Sequence, residues 1–223
     1  MRLSDALKSA VATRLAAFPR LPAAAVAESL RPAAVALAIV DEGMGADVRG
    51  IAAPPRWSDN AALILTRRAA QLKRHAGQWA LPGGRTDGGE TAEQAALREL
   101  HEEVGLAPDQ VQVQVLGQLD DYATRSGFVI TPVVVWAGAV ASLTPNPGEV
   151  ASIHRIPLTE FLRADAPLLD ITEHSPHPVL RMPVGGSWIA APTAAFLYQF
   201  REVCLADRPT RVAHFDQPSF AWR

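Results

Sequence analysis

Three acidic residues near the middle of the chain, Glu99, Glu102 and Glu103, stand at spacings of i, i+3 and i+4. On a helix this spacing puts all three carboxylates on one face, where they repel one another unless a cation lies among them. Carboxylate oxygens suit Mg²⁺ or Mn²⁺, and such ions neutralise phosphoryl oxygens and acidify water. The chemistry suggested is hydrolysis of a phosphate compound. Nearby, Arg67, Arg68, Lys73, Arg74 and Arg85 offer the cations that a polyanionic substrate requires. Arg98, inside the acidic cluster, is placed to pair with Glu90 and so aim the carboxylates.

These side chains need a scaffold. From Gly83 to Leu106 the chain reads as a glycine-rich loop, one helix and a glycine stop at Gly105. Ala96, Leu97, Leu100 and Val104 form a face for burial, while Ala92 and Ala95 on the carboxylate side leave room for a ligand. Gly83, Gly84, Gly88 and Gly89 allow positive φ and bring backbone N–H groups towards an anion at the helix start. Upstream, Leu3, Leu7, Val11, Leu15 and Phe18 predict an amphipathic helix over residues 3–18, stopped by Pro19 and Pro22. Residues 33–40 and 61–66 read as strands, with 41–60 a loop between them.

Downstream, Val111, Val113 and Val115 alternate with glutamines, the pattern of a half-buried strand. Residues 120–127 read as a turn, and 128–140 as a buried strand in which Pro132 calls for a bulge or an edge position. A turn at 145–150 enters a strand at 152–156, followed by a short helix at 157–163 and a loop at 165–178. His174 and His177 in that loop are read as surface histidines rather than metal ligands. Phe196, Leu197, Phe200, Val203 and Cys204 give residues 192–205 a helical apolar face. Helices and strands mix without βαβ regularity, so the fold class is α+β.

At Gly84, Glu90, Arg98, Glu99, Leu100, Glu102, Glu103, Gly105 and Leu106 the chain resembles the Nudix box at every fixed position. The resemblance implies a mixed sheet sandwiched between helices over residues 33–165. Residues 1–32 are then an N-terminal helical extension, and 166–223 a C-terminal loop, helix and tail on the same body. It implies Glu99, Glu102 and Glu103 as ligands of Mg²⁺ or Mn²⁺, with catalytic roles for Arg98, Glu102 and Glu103. Glu149 is the candidate fourth carboxylate, as ligand or base.

The segment before the box is similar to coenzyme A diphosphatases, whose pattern runs Leu-Leu-Thr-Lys-Arg-Ser/Ala, a spaced Arg and Gly, then Phe-Pro-Gly-Gly. Here Arg67 replaces the Lys, Lys73 stands where the Arg is expected, and Leu81 replaces the Phe. Ser126-Gly127, Thr131-Pro132 and, more loosely, Trp188-Ile-Ala also resemble that group. Arg67, Arg68, Lys73, Gly83 and Gly84 are then the substrate-binding candidates. Three readings stand: a diphosphatase for coenzyme A or acyl-CoA, a Nudix hydrolase for another nucleoside diphosphate derivative, and a non-catalytic Nudix-like module. Intact Glu99, Glu102 and Glu103 argue against the third.

The chain has 223 residues, 48% hydrophobic and 20% charged, a globular composition. A net charge of −2 gives no support for nucleic-acid binding. The apolar run at 128–141 is broken by Pro132 and too short to span a bilayer as a helix. The N-terminal basic, alanine-rich segment shares features with transit peptides, but Asp5 and Glu28 favour a structural helix. A single cysteine, Cys204, excludes an intrachain disulfide and fits a reducing, cytoplasmic setting. Phe215, Phe220 and Trp222 make the tail too aromatic for water, so it should dock on its own body or on a second copy in a homodimer.

Overall fold

The computed structural model describes residues 1–23, 30–72, 75–106, 113–171 and 177–218. The chain runs through α1 (Asp5–Ala17), β1 (Arg31–Gly43), β2 (Ser58–Arg68), β3 (Trp79–Ala80), β4 (Gly83–Arg85), α2 (Ala92–Val104), β5 (Gln114–Gln118), β6 (Tyr122–Ala123), β7 (Phe128–Gly138) and β8 (Val150–Pro157). A 3-10 turn (Leu158–Leu162), β9 (Leu168–Asp170), β10 (Val179–Val184), β11 (Ser187–Ala190) and α3 (Thr193–Phe200) follow, and α3 continues as a π-type turn, Arg201–Leu205.

Eight strands form one sheet with the central order β3-β2-β1-β7-β5, to which β4 adds on β1, β6 on β7 and β8 on β2. β1 and β7 are parallel and the remaining pairs antiparallel, so the sheet is mixed and the fold α+β. Along β1 the side chains alternate between two separate cores. Ala34, Ala36 and Ala38 face the core shared with Ala95, Ala96, Leu100 and Val104 of α2. Leu37 and Ile39 face the opposite core, with Val11 and Leu15 of α1 and Phe196, Leu197 and Phe200 of α3. Small residues on one face let α2 lie close to the sheet, and larger ones fill the space under α1 and α3.

Several expectations need correction. Pro132 lies on an inner strand, opposite Val35 of β1, in a register that runs without a shift from Arg31 to Ile39. Its other side meets the connection between β5, whose register ends at Gln118, and β6, which begins at Tyr122. The missing N–H therefore falls where no neighbouring strand needs it. Residues 41–43 and 58–60 extend β1 and β2 into the expected loop, and Asp41 is 1% exposed in an ion pair with Arg155 at 2.7 Å. Within the expected loop at 165–178, β9 pairs with β10 in a second, three-stranded sheet of order β11-β10-β9. Three residues are too few to show a period-2 pattern, so β9 left no signal.

The terminal additions are fastened by polar contacts as well as packing. Arg14 of α1 donates to the carbonyls of Cys204 and Leu205, and Arg211 donates to buried Asp120. Cys204 is fully buried, and desolvation pushes its thiol pKa up, so it acts as a small apolar core residue. Phe215 docks on the body, edge-on to Tyr198 at 6.0 Å, while Phe220 and Trp222 lie outside the described residues. Among the described residues no helix is long and apolar enough to cross a membrane.

Candidate active site

β1 and β2 do not stay paired along their length. β1 pairs with β2 at Ile39–Gly43 but with β4 at Ala33–Val35, and β2 leaves β1 to pair with β3 at Thr66 and Arg67. The fork between them holds the segment from Trp79 to Arg85, pinned by Ala36 N–H to the Pro82 carbonyl at 2.8 Å. That segment runs straight into the loop before α2. At Gly83 and Gly84 glycine is required by proximity rather than by positive φ, since of the four loop glycines only Gly89 has one, at 86°. A Cβ on Gly83 would strike the Ala34 carbonyl, and one on Gly84 would strike Glu99 Oε1.

α2 begins with a capping box. Thr91 Oγ1 accepts from Gln94 N–H, and Gln94 Oε1 accepts from Thr91 N–H at 2.8 Å. These contacts occupy two amides at the helix start. The helix stops at Gly105 in the left-handed region, with φ of 72°. Ala95, expected to leave space beside the carboxylates, is fully buried in the core beneath α2, because the Glu99 face itself is turned toward the sheet.

The last turn of α2 recruits a distant loop. Thr144 N–H donates to the Val104 carbonyl and Asn146 N–H to the Glu103 carbonyl, both at 3.0 Å, which satisfies helix-end acceptors. Ala69 N–H donates to the Glu149 carbonyl at 2.8 Å, tying the same loop to the end of β2. Glu149 is thereby delivered beside Glu103. Among the described residues, Glu99, Glu103 and Glu149 form a group whose carboxylate oxygens lie within 4.8 Å of one another. Glu102 lies outside it, exposed, with Oε2 accepting from Arg98 at 2.9 Å.

Arg98 is the hub of the hydrogen bonds around this group. It donates to both oxygens of Glu90 at 2.9 and 3.1 Å, to Glu99 Oε1 at 2.9 Å and to the Arg85 carbonyl at 2.9 Å. Glu90 in turn accepts from Asp87 N–H at 2.9 Å, so loop and helix are tied as the sequence led one to expect. The Arg98 guanidinium holds the Glu90 carboxyl below its usual range. Glu99 and Glu103 behave oppositely. Burial raises both, and Glu103, 5% exposed, is pushed up to about 8 by desolvation first and by the Glu99 charge second. Two buried carboxylates with a third beside them fit a divalent cation, which would supply the missing charge.

The cluster opens on a cavity of about 710 Å³ also lined by Arg67, Arg68, Gly83, Gly84 and Arg85. Arg68 acts electrostatically on Glu103, and its buried Nε has no hydrogen-bond partner among the described residues. Arg67 stacks on Trp79 at 3.8 Å and donates to the Gly77 carbonyl. Lys73 and Arg74 lie outside the described residues, as does His174, and His177 is exposed. Sequence reasoning passed over Trp79 as a site residue and gave Trp188 no role, although both line the cavity. A lone tryptophan in a strand reads as core, so only the neighbours acquired on folding single these out.

The NUDIX domain model matches residues 48–175. A Nudix hydrolase called NudL from Pectobacterium atrosepticum is 46% identical over 99 residues, 44% of this chain and 50% of that protein. Its counterpart in Photorhabdus laumondii is 48% identical over 101 residues, 45% of this chain and 53% of that protein. The chain thus spans about half the length of these relatives. The crystal structure of a Nudix hydrolase from M. smegmatis, RenU, aligns with a TM-score of 0.41 and 28% identity over 59% of this chain and 73% of that one.

Proposed function

This chain belongs to the Nudix family, and from that premise we propose that it is a divalent-metal-dependent hydrolase of a nucleoside diphosphate derivative, with coenzyme A or acyl-CoA the favoured substrate. One observation carries the reading: buried Glu99 and Glu103 and exposed Glu149 converge in a cavity whose other wall is arginine-rich. Glu99, Glu103 and Glu149 would hold Mg²⁺ or Mn²⁺. When bound, the ion supplies positive charge to the diphosphate oxygens and acidifies water. Arg98 holds Glu99 and Glu102 in place, and Gly84 leaves space for the Glu99 carboxylate. Arg68 and Arg67 face the substrate's phosphates, Arg68 with a buried donor still to be used. Hydrolysis of coenzyme A gives 3′,5′-ADP and 4′-phosphopantetheine, or its acyl form.

Coenzyme A rests on the residues around Arg67 and on Lys73. A panel of coenzyme A, acyl-CoA, dephospho-coenzyme A and ADP-ribose, assayed at matched low concentration with Mg²⁺ or Mn²⁺, tests it. The expected order puts coenzyme A ahead of its dephospho form and of ADP-ribose. Faster cleavage of ADP-ribose would replace the coenzyme A reading with the second one, and absence of metal-dependent cleavage of any member would overturn the hydrolase reading.

A further inference from the structure

Most aromatic rings near the cavity are already committed. Trp79 is 8% exposed and lies between Arg67 at 3.8 Å and His154 at 4.9 Å. Trp188 differs. It lines the same cavity as Glu99, Glu103 and Glu149, yet it is 40% exposed, with ring surface to spare. It comes from β11, beyond the residues that match the family model.

Its support is built in. Trp188 stands opposite Pro183 across the β10–β11 pair, and Arg181, two residues along β10, shares its face of the small sheet. The Arg181 guanidinium carbon sits 4.0 Å from the centre of the indole, and Arg181 is itself held by Asp170 of β9 at 2.6 Å. One indole face is therefore taken by a cation fixed from behind, and the face and edge that remain are what Trp188 offers the cavity. Little side-chain freedom is left to lose when a ring stacks there. Ser126 also lines the cavity, and its hydroxyl, 3.0 Å from that of Thr124, is a polar group within the same lining that the rim of a heterocycle can use.

We propose that Trp188 is the stacking platform for the flat heteroaromatic base of the substrate, with Arg181 and Asp170 as positioning residues. The inference rests on the nucleoside diphosphate reading of the carboxylate site and adds the subsite that distinguishes a nucleotide from a bare diphosphate. Base-on-aromatic stacking is sequence-tolerant and strong enough that its removal is read as a change on the order of 10- to 100-fold in affinity.

Equilibrium dialysis of ADP and of inorganic diphosphate, with Mg²⁺ and without turnover, tests it. Trp188→Ala should weaken ADP binding by that factor and leave inorganic diphosphate binding unchanged, while Trp188→Phe should keep most of the ADP affinity. Arg181→Ala should produce a smaller loss confined to ADP. The proposal is overturned if Trp188→Ala binds ADP like the parent, if it loses ADP and diphosphate equally, or if it spares ADP and weakens acylated 4′-phosphopantetheine instead. Because dialysis does not depend on cleavage, failure of the hydrolase reading would appear in the substrate panel alone.

Discussion

Glu103 is almost fully enclosed, and without a cation its charge meets low dielectric on one side and Glu99 on the other. Its folded-state pKa of about 8 stands above the usual 4.5, so the sign of its pH linkage follows. Between those values the folded protein keeps a proton that the unfolded chain has released, and stability falls as pH rises through that window. In EDTA, denaturant midpoints should therefore decline from pH 5 to pH 8, and Glu103→Gln should flatten the decline. Glu90 works the other way, because its lowered pKa contributes stability that is present above its unfolded value and lost only in acid. The Glu103→Gln variant should also lose about 100-fold or more in kcat with its circular dichroism unchanged, since shape is kept and charge removed. Parent-like turnover would remove Glu103 from the metal site. Arg98→Ala should cost about 10- to 100-fold in activity, as expected for a residue that orients ligands, and more in activity than in melting temperature.

At the scale of elements, the close approach of β4 to α2 is what lets Glu99 reach the cavity. Gly84→Ala should cost about 1–3 kcal/mol and weaken Mg²⁺ binding, because its Cβ would occupy the place of Glu99 Oε1. Gly88→Ala is the matched control: nothing lies within 4 Å of its added Cβ and its φ is not positive, so stability should change by less than about 0.5 kcal/mol. Melting curves and magnesium titrations of the pair separate contact from loop flexibility. Equal effects at both positions would mean that the loop's mobility, not the Glu99 contact, is what glycine serves. The loop carrying Glu149 follows the same logic, since its backbone caps the end of α2 and its carboxylate completes the cluster.

For the molecule as a whole, the proposed metal site couples ion binding to folding. Buried carboxylates destabilise the metal-free fold, so a divalent ion that binds only the folded state should raise stability by about 2.7 kcal/mol at one hundred times its dissociation constant. Thermal scans with Mg²⁺ titrated against EDTA read this directly. The gain should be larger at pH 8 than at pH 6, where Glu103 holds a proton that the ion must displace. A melting temperature indifferent to Mg²⁺ at both pH values would count against the metal site altogether.

Local chemistry explains what the sequence determined by itself. Glu99, Glu103 and the Gly105 stop lie within two turns of each other on one helix, and helical periodicity brings such residues together whatever surrounds them. The pairing of Arg98 with Glu90 was legible from opposite charge a few residues apart, where the loop meets the helix. What only tertiary structure decided depends on contacts far apart in the chain. Glu149 joins Glu99 and Glu103 because a loop some forty residues on caps the helix, and Glu102, equal to them in sequence, is left outside by its angle around the axis. Pro132 is tolerated on an inner strand only because β5 and β6 part beside it, and Trp188 becomes part of the cavity wall only when a second sheet sets it there with Arg181 at its back. Spacing along the chain cannot encode which surfaces will meet, since that is settled by how the two faces of the sheet are filled.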